Sequence, residues 1–147
     1  MKTAFAVMLA LFFRAAPGWA VLGQPVQSVA ADRERLRGEL RAVSREGYAV
    51  HRIDSPAGMV VKEYISPAGM VFGVSWQGPG MPNLQKLLGC YFTEFQQAAQ
   101  NRVHRRGPIA VRTDRVVVES GGHMRAFRGR AYVPSLMPPT LSEAVVE

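Results

Sequence analysis

The chain has 147 residues and one cysteine, Cys90, and its 18 Lys and Arg against 11 Asp and Glu give a formal charge of +7. A single thiol excludes an intrachain disulfide, and this length fits one ordinary domain.

Met1 to Ala20 reads as a secretory leader: Lys2 precedes an apolar run from Ala4 to Phe13, and Gly18 and Ala20 place small side chains at the cleavage site. The run is about half the roughly 20 apolar residues of a spanning helix, and Arg14, Pro17 and Gly18 end it. Cleavage before Val21 divides the chain into a leader, 1–20, a single domain, 21–134, and a C-terminal tail, 135–147. With Lys2 and Arg14 gone, the charge falls by two to +5, carried almost wholly by Arg. Outside the cytoplasm the polyanions are lipid headgroups, lipopolysaccharide and acidic glycans, so nucleic acid is not expected as a partner. After cleavage no segment is long and apolar enough to cross a bilayer.

The next element is an amphipathic helix over Val29 to Val43, capped by Ser28, with Val29, Leu36, Leu40 and Val43 inward. Ala31, Arg35 and Glu39 fall at four-residue steps on its exposed side, a possible ion-paired row, and Gly38 weakens it by about 1 kcal/mol against Ala. A short repeat follows, Ser55-Pro-Ala-Gly-Met-Val60 and Ser66-Pro-Ala-Gly-Met-Val71. Ser begins each turn, Pro fixes φ at the second position and Gly takes the left-handed conformation that closes a three-residue hairpin loop. Two such turns predict a three-strand meander, about Tyr48 to Asp54, Val60 to Ile65 and Val71 to Trp76. Two copies make two similar turns rather than a solenoid.

After the loop Gln77 to Pro82, Asn83 caps the strongest helix, whose Leu84, Leu87, Leu88, Tyr91, Phe92 and Phe95 form one continuous stripe. It is expected to lie across one face of the sheet. A basic connector, Arg102 to Pro108, leads to strands over Ile109 to Arg112 and Arg115 to Glu119. Gly121-Gly122 then opens a hairpin into Met124 to Val133, with Gly129 as a possible bulge. The expected class is α+β: an antiparallel sheet of a three-strand meander plus C-terminal hairpin strands, an amphipathic helix on one face and a shorter N-terminal helix. Pro134, Pro138 and Pro139 end regular structure, leaving a tail of uncertain order.

Residues with reactive side chains are few. Cys90 lies mid-helix beside the apolar stripe, where a buried inert thiol is the ordinary outcome and a link between two chains the exception. His51, His104 and His123 match no ligand spacing, so neither a metal nor another cofactor is expected. Ser120, Asp54 and Asp114 read as turn chemistry. The strongest surface feature is basic: Arg102, His104, Arg105, Arg106, Arg125, Arg128 and Arg130, with Phe127 and Tyr132 interleaved. The arginines are candidate anion-binding residues, able to grip a headgroup by charge and stacking if they converge. The competing reading is a solvated connector and a charged edge strand.

Taken together, Tyr48-Ala-Val-His51, Val61-Lys-Glu-Tyr64, Ser66-Pro-Ala-Gly69, Val74-Ser-Trp76-Gln-Gly78-Pro79, Leu87-Leu-Gly89, Tyr91-Phe92 and Val118-Glu-Ser-Gly-Gly-His-Met-Arg-Ala-Phe127 resemble a family of small exported bacterial proteins catalogued as a domain of unknown function. The resemblance covers nearly the whole chain, and the Glu-Ser-Gly-Gly-His-Met block is its most specific portion. It implies export and a single domain, with no activity, cofactor or catalytic residue to carry over.

Two functions follow as expectations. The first is a non-enzymatic periplasmic or secreted protein that binds another envelope protein through a sheet face or edge left open by the helices, with a variant in which the basic surface reads anionic lipid or glycan. The second is a small hydrolase-type enzyme with His51 or His123 as base and an Arg as anion clamp.

Overall fold

A computed structural model describes residues 22–101 and 107–147. The expected leader and the arginines of the connector, Arg102, Arg105 and Arg106, lie outside the described residues.

The core of the fold is one antiparallel sheet of seven strands in the order β1-β2-β3-β4-β7-β6-β5. The strands are β1 (Glu39–Arg45), β2 (Tyr48–Asp54), β3 (Val60–Ile65), β4 (Val71–Gly78), β5 (Ile109–Arg112), β6 (Val117–His123) and β7 (Ala126–Tyr132). The expected α+β class is what the structure shows, and the meander strands begin where the sequence places them. Both repeat turns are three-residue loops: Gly58 N–H donates to Ser55 O at 2.9 Å, and Gly69 N–H to Ser66 O at 2.8 Å. Gly58 and Gly69 have φ of 80° and 76°, the left-handed region that the loop closure requires.

The N-terminal helix is shorter than expected. α1 spans Val29–Leu36, and the residues assigned to its second half form β1, paired residue for residue with β2. Arg37 takes φ 49°, and the Arg37 and Gly38 amides donate to Glu34 O and Arg33 O, a Schellman end. Gly38 then lies against the Ile53 side chain and the Asp54 carbonyl, where a Cβ would collide. The expected charge row is absent: Arg35 pairs with Asp32 and Glu39 with Arg41.

The aromatic ridge forms as α2 (Leu84–Leu88), a 3-10 turn (Gly89–Tyr91) and α3 (Phe92–Gln100). Asn83 caps it, its Oδ1 accepting from Lys86 N–H at 3.0 Å. Leu87, Leu88, Tyr91 and Phe95 are buried with Val61, Val74, Trp76, Val118 and Ala131 of the sheet and with Val116 just before β6. Burial of each such side chain contributes about 1.5–3 kcal/mol.

The last hairpin turns later than expected. His123 pairs with Ala126, so Met124-Arg125 is the loop and Gly121-Gly122 lies within β6. Gly122 has φ 131°, and a Cβ there would strike the Ala126 carbonyl. Gly129 marks no bulge; its register with Trp76 and Ser120 is unbroken. The Trp76 indole occupies the space a side chain at position 129 would fill.

The segment after Pro134 is ordered by packing. Val146 is fully buried beside Tyr64, Phe72, Val117 and Tyr132, on the face of the sheet opposite the helices, with Met137 and Leu141 around it. β4 is thus buried on both sides over Val71–Trp76.

Candidate functional site

Strand alternation decides which expected residues meet. In β7, Arg128, Arg130 and Tyr132 point to the face covered by the tail, whereas Phe127 and Ala131 point toward the helices. Phe127 therefore shares no groove with the neighbouring arginines. Arg130 is bound within the fold: its Nε donates to Glu119 Oε2 at 2.8 Å, and its Nη1 donates to the Glu143 and Val146 carbonyls at 3.1 and 3.2 Å. Arg112 on β5 acts alongside it, donating to Glu143 Oε2 at 2.9 Å and to the Tyr132 hydroxyl at 3.2 Å. Tyr132 also donates to Glu143, and this bond with the Arg112 guanidinium holds the Glu143 carboxyl below its ordinary range.

The tail ends among polar groups. Lys62 Nζ and Ser75 Oγ donate to the Glu147 main-chain oxygen at 3.0 and 2.8 Å, and the Tyr64 hydroxyl donates to the same atom. The face that a partner was expected to cover is closed at its centre by the chain's own residues 136–147.

Arg125 and Arg128 remain exposed at the β6–β7 end, beside His123 and the 88 % exposed Met124. Neither arginine meets an acid among the described residues. Arg102, Arg105 and Arg106 lie outside them. A shallow groove of about 670 Å³, lined by Leu84, Phe95, Gln96, Ala99, Gln100 and Ile109, runs between α3 and β5.

The sequence reading missed a buried carboxyl pair. Asp32 of α1 and Glu63 of β3 are both 1 % exposed, and Arg35 ion-pairs with Asp32. Burial, together with the Asp32 charge, pushes Glu63 up to about 9, and burial also raises Asp32. Glu63 is therefore protonated at neutral pH, an acid kept neutral beside the Asp32 carboxyl. His51 faces Glu63 across the β2–β3 register, and burial lowers its pKa. The clue lay in the alternation: Glu63 stands between Val61 and Ile65 on the inward side of β3. Shielded from solvent, this pair holds a proton but meets no solute.

The other reactive groups lie apart. Cys90 is exposed on the 3-10 turn, not buried as expected, because that turn carries it off the stripe. Asp54 is held by the Arg52 guanidinium at 2.7–3.0 Å, on the face opposite His51. Ser120 Oγ lies 3.6 Å from Met81 Sδ and 3.5 Å from Arg128 O. Among the described residues no group of three His, Cys, Asp or Glu is placed to hold a metal, and no helix is long and apolar enough to cross a membrane.

Fold and surface together define a small α+β domain: a seven-strand antiparallel sheet with helices on one face and its own tail on the other. The chain belongs to the family DUF2844, described as protein of unknown function, which matches residues 18–146. No curated protein and no solved structure matches it.

Proposed function

We propose that this chain is an exported, non-enzymatic binding protein of the bacterial cell envelope, periplasmic or secreted, whose partner is an anionic envelope component. The leader-like Met1 to Ala20 supports export. The observation that carries the binding reading is the contrast among arginines: Arg112 and Arg130 are spent on Glu143, Glu119 and the tail, whereas Arg125 and Arg128 stand exposed at one end of the sheet. With Met124 exposed in the same hairpin loop, this end offers charge for a phosphate or carboxylate and an apolar tip for the layer beneath it.

Sedimentation with anionic phospholipid vesicles, with lipopolysaccharide and with zwitterionic vesicles tests the reading. Binding to either anionic particle at low salt, weakened as salt rises and lost in R125E/R128E, is the expected result. Which particle binds separates the two headgroup sources. No binding at low salt to either, or binding untouched by the charge reversal, overturns the reading.

A further inference from the structure

The seven-strand sheet has two edges of different character. β5 is four residues long, whereas β1 runs for seven, from Glu39 to Arg45, with six of them exposed. β1 contains no Pro, no Lys and no bulge, and of the features that keep an exposed edge from pairing it has only the charges of Glu39, Arg41 and Arg45.

Its outward backbone groups can be assigned. Ser55 N–H donates to Met59 O, so the odd residues of β2 bond toward β3 and the even ones toward β1. The β2 partners of Glu39, Arg41, Val43 and Arg45 are Asp54, Arg52, Val50 and Tyr48, all even. These four β1 residues therefore bond inward, and the N–H and C=O of Leu40, Ala42 and Ser44 point outward, with no backbone partner among the described residues.

From this we propose that β1 is a homodimer interface: two copies pair their β1 strands antiparallel about a twofold axis at Ala42, joining two sheets into one. In this register Ala42 meets Ala42 of the other copy, and Leu40 meets Ser44, each through its outward hydrogen-bonding groups. Between them Glu39 falls opposite Arg45 at both ends, in the non-hydrogen-bonded positions where side chains approach most closely. Arg41 falls opposite Val43, one of the few large apolar side chains left exposed. Sliding the strands by two residues one way sets Arg41 against Arg41, and sliding them the other way sets Arg41 against Arg45. Of these three registers, which overlap the strands most, only the Ala42-centred one pairs unlike charges and opposes no like ones. A strand whose charge order is complementary to its own reversal, with matching outward amides, fits a second copy of itself.

Analytical ultracentrifugation of the purified protein across a concentration series, from micromolar to millimolar, should show a monomer–dimer equilibrium. Ala42→Pro removes an outward donor and leaves the β1–β2 ladder intact. It should weaken the dimer by about tenfold or more, with unchanged circular dichroism. Glu39→Arg should also weaken it, and the swap E39R/R45E should restore it, a rescue that misfolding does not produce. A protein monomeric throughout the series, a dimer indifferent to Ala42→Pro, or failure of the charge swap to rescue would each overturn the proposal.

Discussion

Glu63 on β3 and Asp32 on α1 bring two carboxyls together beneath the N-terminal helix, both removed from solvent, with Glu63 held in its protonated form. The folded state keeps Glu63 protonated up to about 9, whereas an unfolded chain releases that proton near the ordinary glutamate value of 4.5. Across that interval the unfolded state binds fewer protons, so raising the pH favours unfolding, by at most about 1.4 kcal/mol per unit. Asp32, also raised, acts in the same sense from its ordinary 3.8 upward. His51, lowered, acts in the opposite sense: its contribution is present above its ordinary 6.5 and is lost as the pH falls through its folded value.

Stability measured by urea unfolding should therefore decline from about pH 6.5 to about pH 9. Glu63→Gln keeps the size and neutral polarity of the protonated side chain and removes the titration. It should flatten the profile and raise stability at about pH 8 by on the order of 2 kcal/mol. A native profile that climbs through this range, or a variant profile with the native slope, contradicts a protonated Glu63.

The tail is held by Arg130 and Val146 jointly. Val146→Ala should cost about 2 kcal/mol in thermal or urea unfolding. Arg130→Ala strips donors from Glu119, Glu143 and Val146, and should cost about 1–3 kcal/mol. In both variants amide exchange of residues 136–147 should accelerate ahead of the sheet. Exchange unchanged in the tail would mean that these contacts do not hold it.

Gly129 gives its side-chain space to the Trp76 indole. Gly129→Ala should destabilise by about 1–3 kcal/mol through overpacking. It should also shift the tryptophan emission to the red as the indole yields. A neutral effect on both readouts would contradict the fit.

Arg37 ends α1 in a left-handed conformation that usually belongs to glycine. Arg37→Gly should raise the unfolding midpoint, a gain of about 1 kcal/mol before the added freedom of the unfolded chain is subtracted. A lower midpoint would show that the arginine side chain supports the fold.

Much of this architecture is legible in the chain because its local rules agree with its tertiary ones. Ser-Pro-Ala-Gly twice specifies the loops that set the register of β2, β3 and β4, and the six-residue apolar stripe specifies the ridge above them. The sequence is silent where two rules compete. Glu39 to Arg45 carries helical spacing and strand alternation at once, and pairing with β2 decides it, aided by Gly38, which only a backbone-close position needs. The Gly121-Gly122 pair imitates a turn but serves close strand approach, displacing the loop to Met124-Arg125. Tail order rests on Val146, Leu141 and Met137, which have no period of their own and gain meaning only against Tyr64 and Phe72. The arginines looked like one set by composition, yet alternation and the two acids Glu119 and Glu143 divide them.

Export is the premise on which an envelope partner depends. Mass spectrometry of the protein from fractionated native cells reads it most directly, by recovering its amino terminus and its compartment together. A product beginning at Val21 in the periplasm or medium is the expected result. An unprocessed Met1 terminus in soluble cytosol would contradict it and remove the anionic envelope as the site of action.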